Sequence, residues 1–176
     1  MDRKNIYSIH FKTSIGKLAL TATPKGLHSL DFQKSDEQTG LPSRSAPPQT
    51  SQLLREAAKR IRRFLQGRPV EFADLPVDWQ GLNAFERKIL RELCKLPRGR
   101  TASYQDLARR GGRPKAARYV GRIMSENRLP FIIPCHRVLP KNGGWGGFSK
   151  GPALKKRLLK LESAQVDKNS GNDRAR

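Results

Sequence analysis

The stretch "SYQDLARRGGRPKAARYVGRIMSEN", Ser103 to Asn127, decides how the second half of the chain is organised. Ser103, with Asp106 three residues on, has the spacing of a capping box and predicts a short helix, "YQDLARR". Gly111 and Gly112 end that helix. Pro114 suits the first position of a second helix, "PKAARYVGRIMSEN". A short helix, a glycine turn and a second helix outline a helix-turn-helix. On the second helix, Ala117, Val120, Gly121 and Met124 make a small apolar face. Lys115, Arg118 and Arg122, at i, i+3 and i+7, make a basic stripe turned partly away from it. The spacing leaves two readings open, a face for nucleic acid or an ordinary solvated helix surface.

Charge favours the first. The 176 residues carry 36 Lys and Arg against 15 Asp and Glu, a formal net charge of +21. Between Glu86 and Lys160 there are 20 basic and 4 acidic residues, a net of +16. Such a chain repels itself unless a polyanion relieves it, and nucleic acid is the commonest one. A membrane partner is not expected, because no long basic amphipathic helix appears and no run nears the roughly 20 apolar residues of a spanning helix. "MDRKNIYSIHFKT" lacks the apolar core of a signal peptide. The expected location is therefore intracellular, cytoplasmic (nucleoid) or nuclear. The two cysteines and three histidines show no metal-ligand spacing, so neither metal nor cofactor is expected.

Upstream, "NIYSIHFKT", "GKLALTAT" and "GLHSLDF" are separated by turn residues and predict a three-stranded antiparallel meander, with Tyr7, Ile9 and Phe11 on one face. Residues 33–50 are polar and rich in Pro and Ser, a mobile loop by composition. A helix from about Ser51 to Gln66 follows, with Leu54, Ala57, Ala58, Ile61, Phe64 and Leu65 in one stripe and Gly67 as its C′ residue. "RPVEFADLPVDWQG" suits an extended connector. Asn83 and Glu86 form another capping box before a helix whose face carries Phe85, Ile89 and Leu93. The tail from Ser163 has no apolar period and is expected to be disordered. These segments give an α+β chain: an N-terminal domain (1–78), a C-terminal domain (79–162) and the tail (163–176).

Downstream of the helix-turn-helix stands "FIIPCHRVLP", residues 131–140. Phe131, Ile132 and Ile133 suit a short buried strand, and Pro134 marks its end. Cys135 then lies where a buried run stops, beside His136 and Arg137. A histidine within reach, directly or through one water, lowers a thiol pKa. Adjacent residues on an extended segment point apart, so direct contact requires a turn. Most cysteines are structural core thiols, and Cys94, four residues after Leu90 on a helix, fits that description. Cys135 differs in its Pro, His and Arg neighbours and its basic surroundings. A structural salt bridge is the expectation for Arg137.

"IPCHRV", residues 133–138, resembles the active-site signature of the O6-alkylguanine-DNA alkyltransferases, and the resemblance runs from Ala102 to Glu162 nearly without gaps. It implies an N-terminal ribonuclease-H-like sheet with a helix, and a C-terminal winged-helix-like domain. It implies a DNA repair protein that flips O6-alkylguanine, or O4-alkylthymine, out of a duplex and moves the alkyl group once, irreversibly, to Cys135. His136 would take the thiol proton through water, with Glu162 orienting it. Asn127 would be the hinge, and Tyr104 would help rotate the target phosphate and protonate the leaving base. Arg118 would enter the base stack. Ser149 and the backbone at Val138 would bind the guanine, with Met124 and Lys155 lining or supporting the pocket. Tyr104, Gln105, Arg113, Lys115, Arg118, Arg122 and Lys141 make up the expected DNA contacts, and a monomer is expected. The alternatives are a non-catalytic lesion binder and a helix-turn-helix regulator with a structural cysteine. Three positions depart from the family: Tyr119 replaces a usual alanine, Phe148 a tyrosine and Leu90 a tryptophan. Trp145 is unusual and would gate the pocket.

Overall fold

A computed structural model describes residues 5–33, 46–141 and 143–162. The expected mobile loop lies mostly outside these residues, and the expected disordered tail lies wholly outside them. The chain divides into two compact units. The first comprises the residues up to Leu82 together with Asn127–Ile133, and the second comprises Asn83–Glu126 and the residues from Pro134.

The first unit opens with β1 (Tyr7–Thr13), β2 (Gly16–Thr23) and β3 (Gly26–Phe32), an antiparallel meander in the order β1-β2-β3. Alternation buries Ile9 and Phe11 on β1 and Leu18 and Leu20 on β2. Helix α1 (Pro48–Leu65) lays Leu54, Ala57, Ala58, Ile61, Phe64 and Leu65 on the sheet, all buried. It starts three residues before the sequence suggests, because Pro48 occupies a first-turn position where no N–H is needed. Gly67, at φ 80°, follows the C-cap as a left-handed residue. The connector after it is broken by turns at residues 73–75 and 80–81, and its Val77 forms an isolated parallel bridge to Leu27 of β3.

Residues Asn127–Ile133 complete the first unit and correct an expectation. Phe131, Ile132 and Ile133 are buried as expected, but they form a tight turn and not a strand. The Asn127 amide causes this. Its Nδ2 donates to Ile133 O at 2.9 Å, and its Oδ1 accepts from Leu129 N at 3.0 Å. Ile133 N–H donates to Leu129 O at 2.9 Å, which closes the loop. Phe131 is held at φ 74°, a costly conformation for a bulky residue, with its ring 6.0 Å from that of Phe64.

The second unit holds α2 (Ala84–Cys94), β4 (Ala102–Ser103), α3 (Tyr104–Arg110), α4 (Ala117–Ser125), β5 (Val138–Leu139) and α5 (Pro152–Leu161). Both capping boxes form, Asn83 with Glu86 and Ser103 with Asp106. The second helix of the helix-turn-helix begins later than Pro114 suggests. Pro114 and Lys115 lie in a turn closed by Ala116 N–H to Arg113 O at 2.9 Å. Lys115 therefore lies outside α4, which carries Arg118 and Arg122, while Ile123 joins Val120 and Met124 on the buried face. The two-residue strands β4 and β5 were not anticipated; they pair in parallel, Ala102 with Val138 and Ser103 with Leu139.

Gly111 sits where α3 turns against α2. A Cβ there would lie 2.5 Å from Ile89 Cδ1 and 2.9 Å from Phe85 Cε2. Gly111→Ala is expected to destabilise the protein by about 1–3 kcal/mol through overpacking, read from the midpoint of urea unfolding.

Candidate active site

Cys135, His136 and Arg137 form one turn of 3-10 helix after Pro134, secured by Arg137 N–H to Pro134 O at 2.9 Å. The expectation of an extended segment here is corrected. The chain leaves Ile133 already turning, and the proline carbonyl accepts the bond that closes the next turn. All three side chains are buried, His136 wholly so.

Helix α5 supplies the partners. Its inner face runs Lys155, Leu158, Leu159 and Glu162, the i, i+3, i+4, i+7 pattern of a core stripe with charged residues at both ends. Glu162 is the C-cap residue. Its Oε1 lies 3.0 Å from His136 Nε2. Arg137 Nε donates to Glu162 Oε2 at 3.0 Å, and Nη2 donates to Oε1 at 2.8 Å. Arg137 Nη1 also donates to the Leu96 carbonyl. The expectation of a structural salt bridge for Arg137 therefore has its partner, Glu162.

These contacts set protonation. Burial alone would raise the Glu162 pKa, but hydrogen bonds from His136 and Arg137 outweigh it and hold the carboxyl at about 2. Burial is also the main influence on His136, lowering its pKa against the pull of Glu162, with Arg137 and Lys155 adding to the fall. At neutral pH the pair is a carboxylate and a neutral imidazole. A carboxylate can only accept, so Nε2 carries the hydrogen and Nδ1 the basic lone pair.

Lys155 is fully buried, with Nζ 2.6 Å from Val138 O and 3.4 Å from Gly147 O. Burial lowers its pKa to about 8, opposed by the negative charge Cys135 can carry. Tyr104 feels the same charge. Burial, then Cys135, pushes its phenol upward. The pairing of β4 with β5 sets the two segments side by side; because the strands are parallel, Tyr104 and the Cys-His-Arg turn flank opposite ends of the pair. The turn thus has a base, a carboxylate behind the base, a nearby ammonium and a nearby phenol. That set can deprotonate a thiol and stabilise the thiolate.

The other expected site residues are spread over both units. Ser149 is exposed on the glycine-rich loop, and Met124 is buried on α4. Arg113, Lys115, Arg118, Arg122 and Lys141 are exposed, Gln105 is half-buried on α3, and Asn127 belongs to the first unit. Trp145 is half-buried, with Lys156 Nζ 5.2 Å from its ring centroid. Cys94, with burial pushing its thiol up to about 11, is no reactive thiol. Arg137 is the member of the cluster that sequence reasoning did not place in the site. The available signal was an arginine inside a run of buried residues, which requires an acid. Among the described residues no group of three or more His, Cys, Asp or Glu could hold a metal. No described helix is long and apolar enough to cross a membrane.

Removing Arg137 would leave the Glu162 charge buried with only an imidazole to meet it. Arg137→Met is expected to cost about 3–5 kcal/mol in urea unfolding. Acid should weaken the fold in two stages. As pH falls below 6.5, the unfolded chain takes a proton on His136 that the folded chain refuses, so stability declines. Below the ordinary Glu value of 4.5 the Glu162 contribution also declines, and is lost as pH nears 2. Unfolding midpoints measured from pH 8 to pH 3 should follow that order, and a stability rising from pH 7 to pH 5 would contradict it.

Comparison with known proteins places the chain. Residues 6–79 match the ribonuclease-like domain of 6-O-methylguanine DNA methyltransferase, and residues 84–164 match its DNA binding domain. The chain is 34% identical over 151 residues to a methylated-DNA--protein-cysteine methyltransferase of Methanosarcina barkeri, covering 86% of this chain and 93% of that protein. It resembles the crystal structure of Mycobacterium tuberculosis O6-methylguanine methyltransferase, with a TM-score of 0.72, 28% identity and coverage of 93% and 96% of the two chains. The same M. tuberculosis protein in complex with DNA matches with a TM-score of 0.72, 32% identity and coverage of 90% and 93%. The chain belongs to the 6-O-methylguanine DNA methyltransferase family, DNA-binding repair proteins that transfer an alkyl group to a cysteine.

Proposed function

We propose that Cys135 is the alkyl acceptor and that its substrate is O6-alkylguanine in double-stranded DNA, with O4-alkylthymine as a second lesion. The observation that carries this reading is the buried turn in which His136, fixed by Glu162, adjoins Cys135. His136 Nδ1 takes the thiol proton through a water. The thiolate attacks the alkyl carbon in line with the C–O6 bond. A sulfur–carbon bond forms as that bond breaks, and the electron pair leaves on the guanine. Tyr104 supplies a proton to the departing base. Lys155, an ammonium below about pH 8, favours the thiolate and holds Val138 O, whose strand offers backbone to the extruded base. Ser149 and Met124 complete the pocket. No group regenerates the S-alkyl cysteine, so each molecule acts once.

The lesion lies in a duplex, out of reach of a buried thiol. Flipping it costs about a few kcal/mol, less for a damaged base. Arg118, exposed on α4, replaces part of the lost stack. Gln105, Arg113, Lys115, Arg122 and Lys141 hold phosphates, a sequence-independent grip. Asn127 holds the turn through which the chain passes from α4 to Cys135. Residues 79–162 carry both activities, the protein acts as a monomer, and it works in the compartment that holds the DNA.

The test is to incubate the protein with a duplex carrying O6-methylguanine, digest it and weigh the peptides. One methyl on the Cys135 peptide, at no more than one per protein, is the expected result. No transfer despite tight lesion binding would leave a non-catalytic lesion binder. Cys135→Ala should abolish transfer and keep DNA binding. Arg118→Ala should slow repair most on duplex DNA, and equal slowing with free O6-benzylguanine would contradict its role in flipping. Lys155→Met should lower the transfer rate about tenfold or more and remove a step near pH 8 from the rate profile, measured in single turnovers.

A further inference from the structure

Tyr119 follows Arg118 on α4, and its side chain is anchored at the start of α2. The hydroxyl donates to Glu86 Oε1 at 2.6 Å and accepts from Asn83 Nδ2 at 2.8 Å. Glu86 Oε2 accepts from the Asn83 N–H at 2.8 Å, and Asn83 Oδ1 accepts from the Glu86 N–H at 3.0 Å. One carboxylate therefore caps α2 and holds α4. The phenol hydrogen bond, followed by the Asn83 backbone, lowers the Glu86 pKa, so the acceptor is an anion at neutral pH.

The ring is held as well. It stacks on Phe85 with centroids 5.7 Å apart and planes 13° from parallel. The Arg122 guanidinium lies 5.4 Å from the Tyr119 centroid, and that of Arg113 lies 4.8 Å from the Phe85 centroid. Two rings and two guanidinium groups thus meet in sequence: Arg113, Phe85, Tyr119, Arg122. A guanidinium lying over a ring uses its face and keeps its N–H edges free to donate. Arg122 Nε also lies 3.2 Å from Glu126 Oε1, a contact one helical turn away between exposed side chains. An alanine at this position, usual in the family the chain resembles, has neither hydroxyl nor ring.

We infer that Tyr119 is a positioning residue for DNA repair: by tying α4 to the capped start of α2, it fixes the pose in which Arg118 and Arg122 meet the duplex. The inference builds on the reading of α4 as the DNA-facing helix. Its physical basis is preorganisation. Side chains and a helix already in place lose less freedom on binding than ones that must be ordered. Tyr119 touches neither Cys135 nor its cluster by any of these contacts, so its effect reaches the reaction only through DNA.

The experiment compares the protein with Tyr119→Phe, which keeps the ring and loses both hydroxyl bonds, and with Glu86→Gln, which keeps a capping acceptor and loses the charge. Single-turnover transfer is measured on an O6-methylguanine duplex and with free O6-benzylguanine, and thermal midpoints are recorded alongside. For Tyr119→Phe a loss of ~5-fold on the duplex is expected, on the scale of one ordinary hydrogen bond, with the free-base rate unchanged within about twofold. Glu86→Gln should lie between the two. Equal losses on duplex and free base would overturn the inference, because a merely structural role lowers both. An unchanged duplex rate would also overturn it. If the unaltered protein transfers no alkyl group at all, the proposed function fails by itself. Tyr119 is then judged by affinity for an unmodified duplex, where weaker binding by Tyr119→Phe supports the inference and equal binding overturns it.

Discussion

The Glu162 carboxylate is the interaction around which the second unit is arranged. It receives Arg137 through two nitrogens and His136 through a third, all in the interior. A buried charge without partners would cost several kcal/mol, so the end of α5, the 3-10 turn and the Leu96 carbonyl that takes the remaining guanidinium edge must come together. The same assembly fixes the imidazole tautomer. Structural need and chemical readiness are met by one set of bonds, and the turn cannot relax into an extended form without breaking them.

Cys135 is held from both sides along the chain. Before it, the Asn127 amide closes a turn strained at Phe131. After it, two residue pairs of parallel strand bind Val138 and Leu139 to Ala102 and Ser103. Short elements of this kind have little stability of their own. They persist because the helices that flank them are capped and packed, as Ser103 and Asp106 cap α3 and Gly111 admits Ile89 and Phe85.

Much of this was legible in the sequence. Strand alternation, the α1 stripe, both capping boxes and the glycine after α1 act over a few residues, and each appeared as expected. The misreadings involve longer-range bonds. Phe131–Ile133 have the composition of a strand, but the side chain of Asn127, four residues or more away, folds them into a turn. Pro114 is as well suited to a turn as to a helix start, and only the bond to Arg113 O separates the two. The partnership of Arg137 with Glu162 spans 25 residues, and adjacency in the chain gives no hint of it. Lys155 and Glu162 were the clearer clue, because charged residues at core positions of a helix require buried partners.

Acids are scarce in this chain, 15 against 36 bases, and those that matter structurally are shared. Glu162 serves an arginine and a histidine, Glu86 serves a helix cap and a phenol, and Asp106 serves a backbone N–H, a hydroxyl and Arg109. Tolerance to mutation is therefore lopsided. A lost lysine or arginine on the surface removes one of many similar charges and eases self-repulsion, whereas a lost carboxylate strands several donors at once. The excess of positive charge that suits a polyanion leaves the fold dependent on a small number of negative ones.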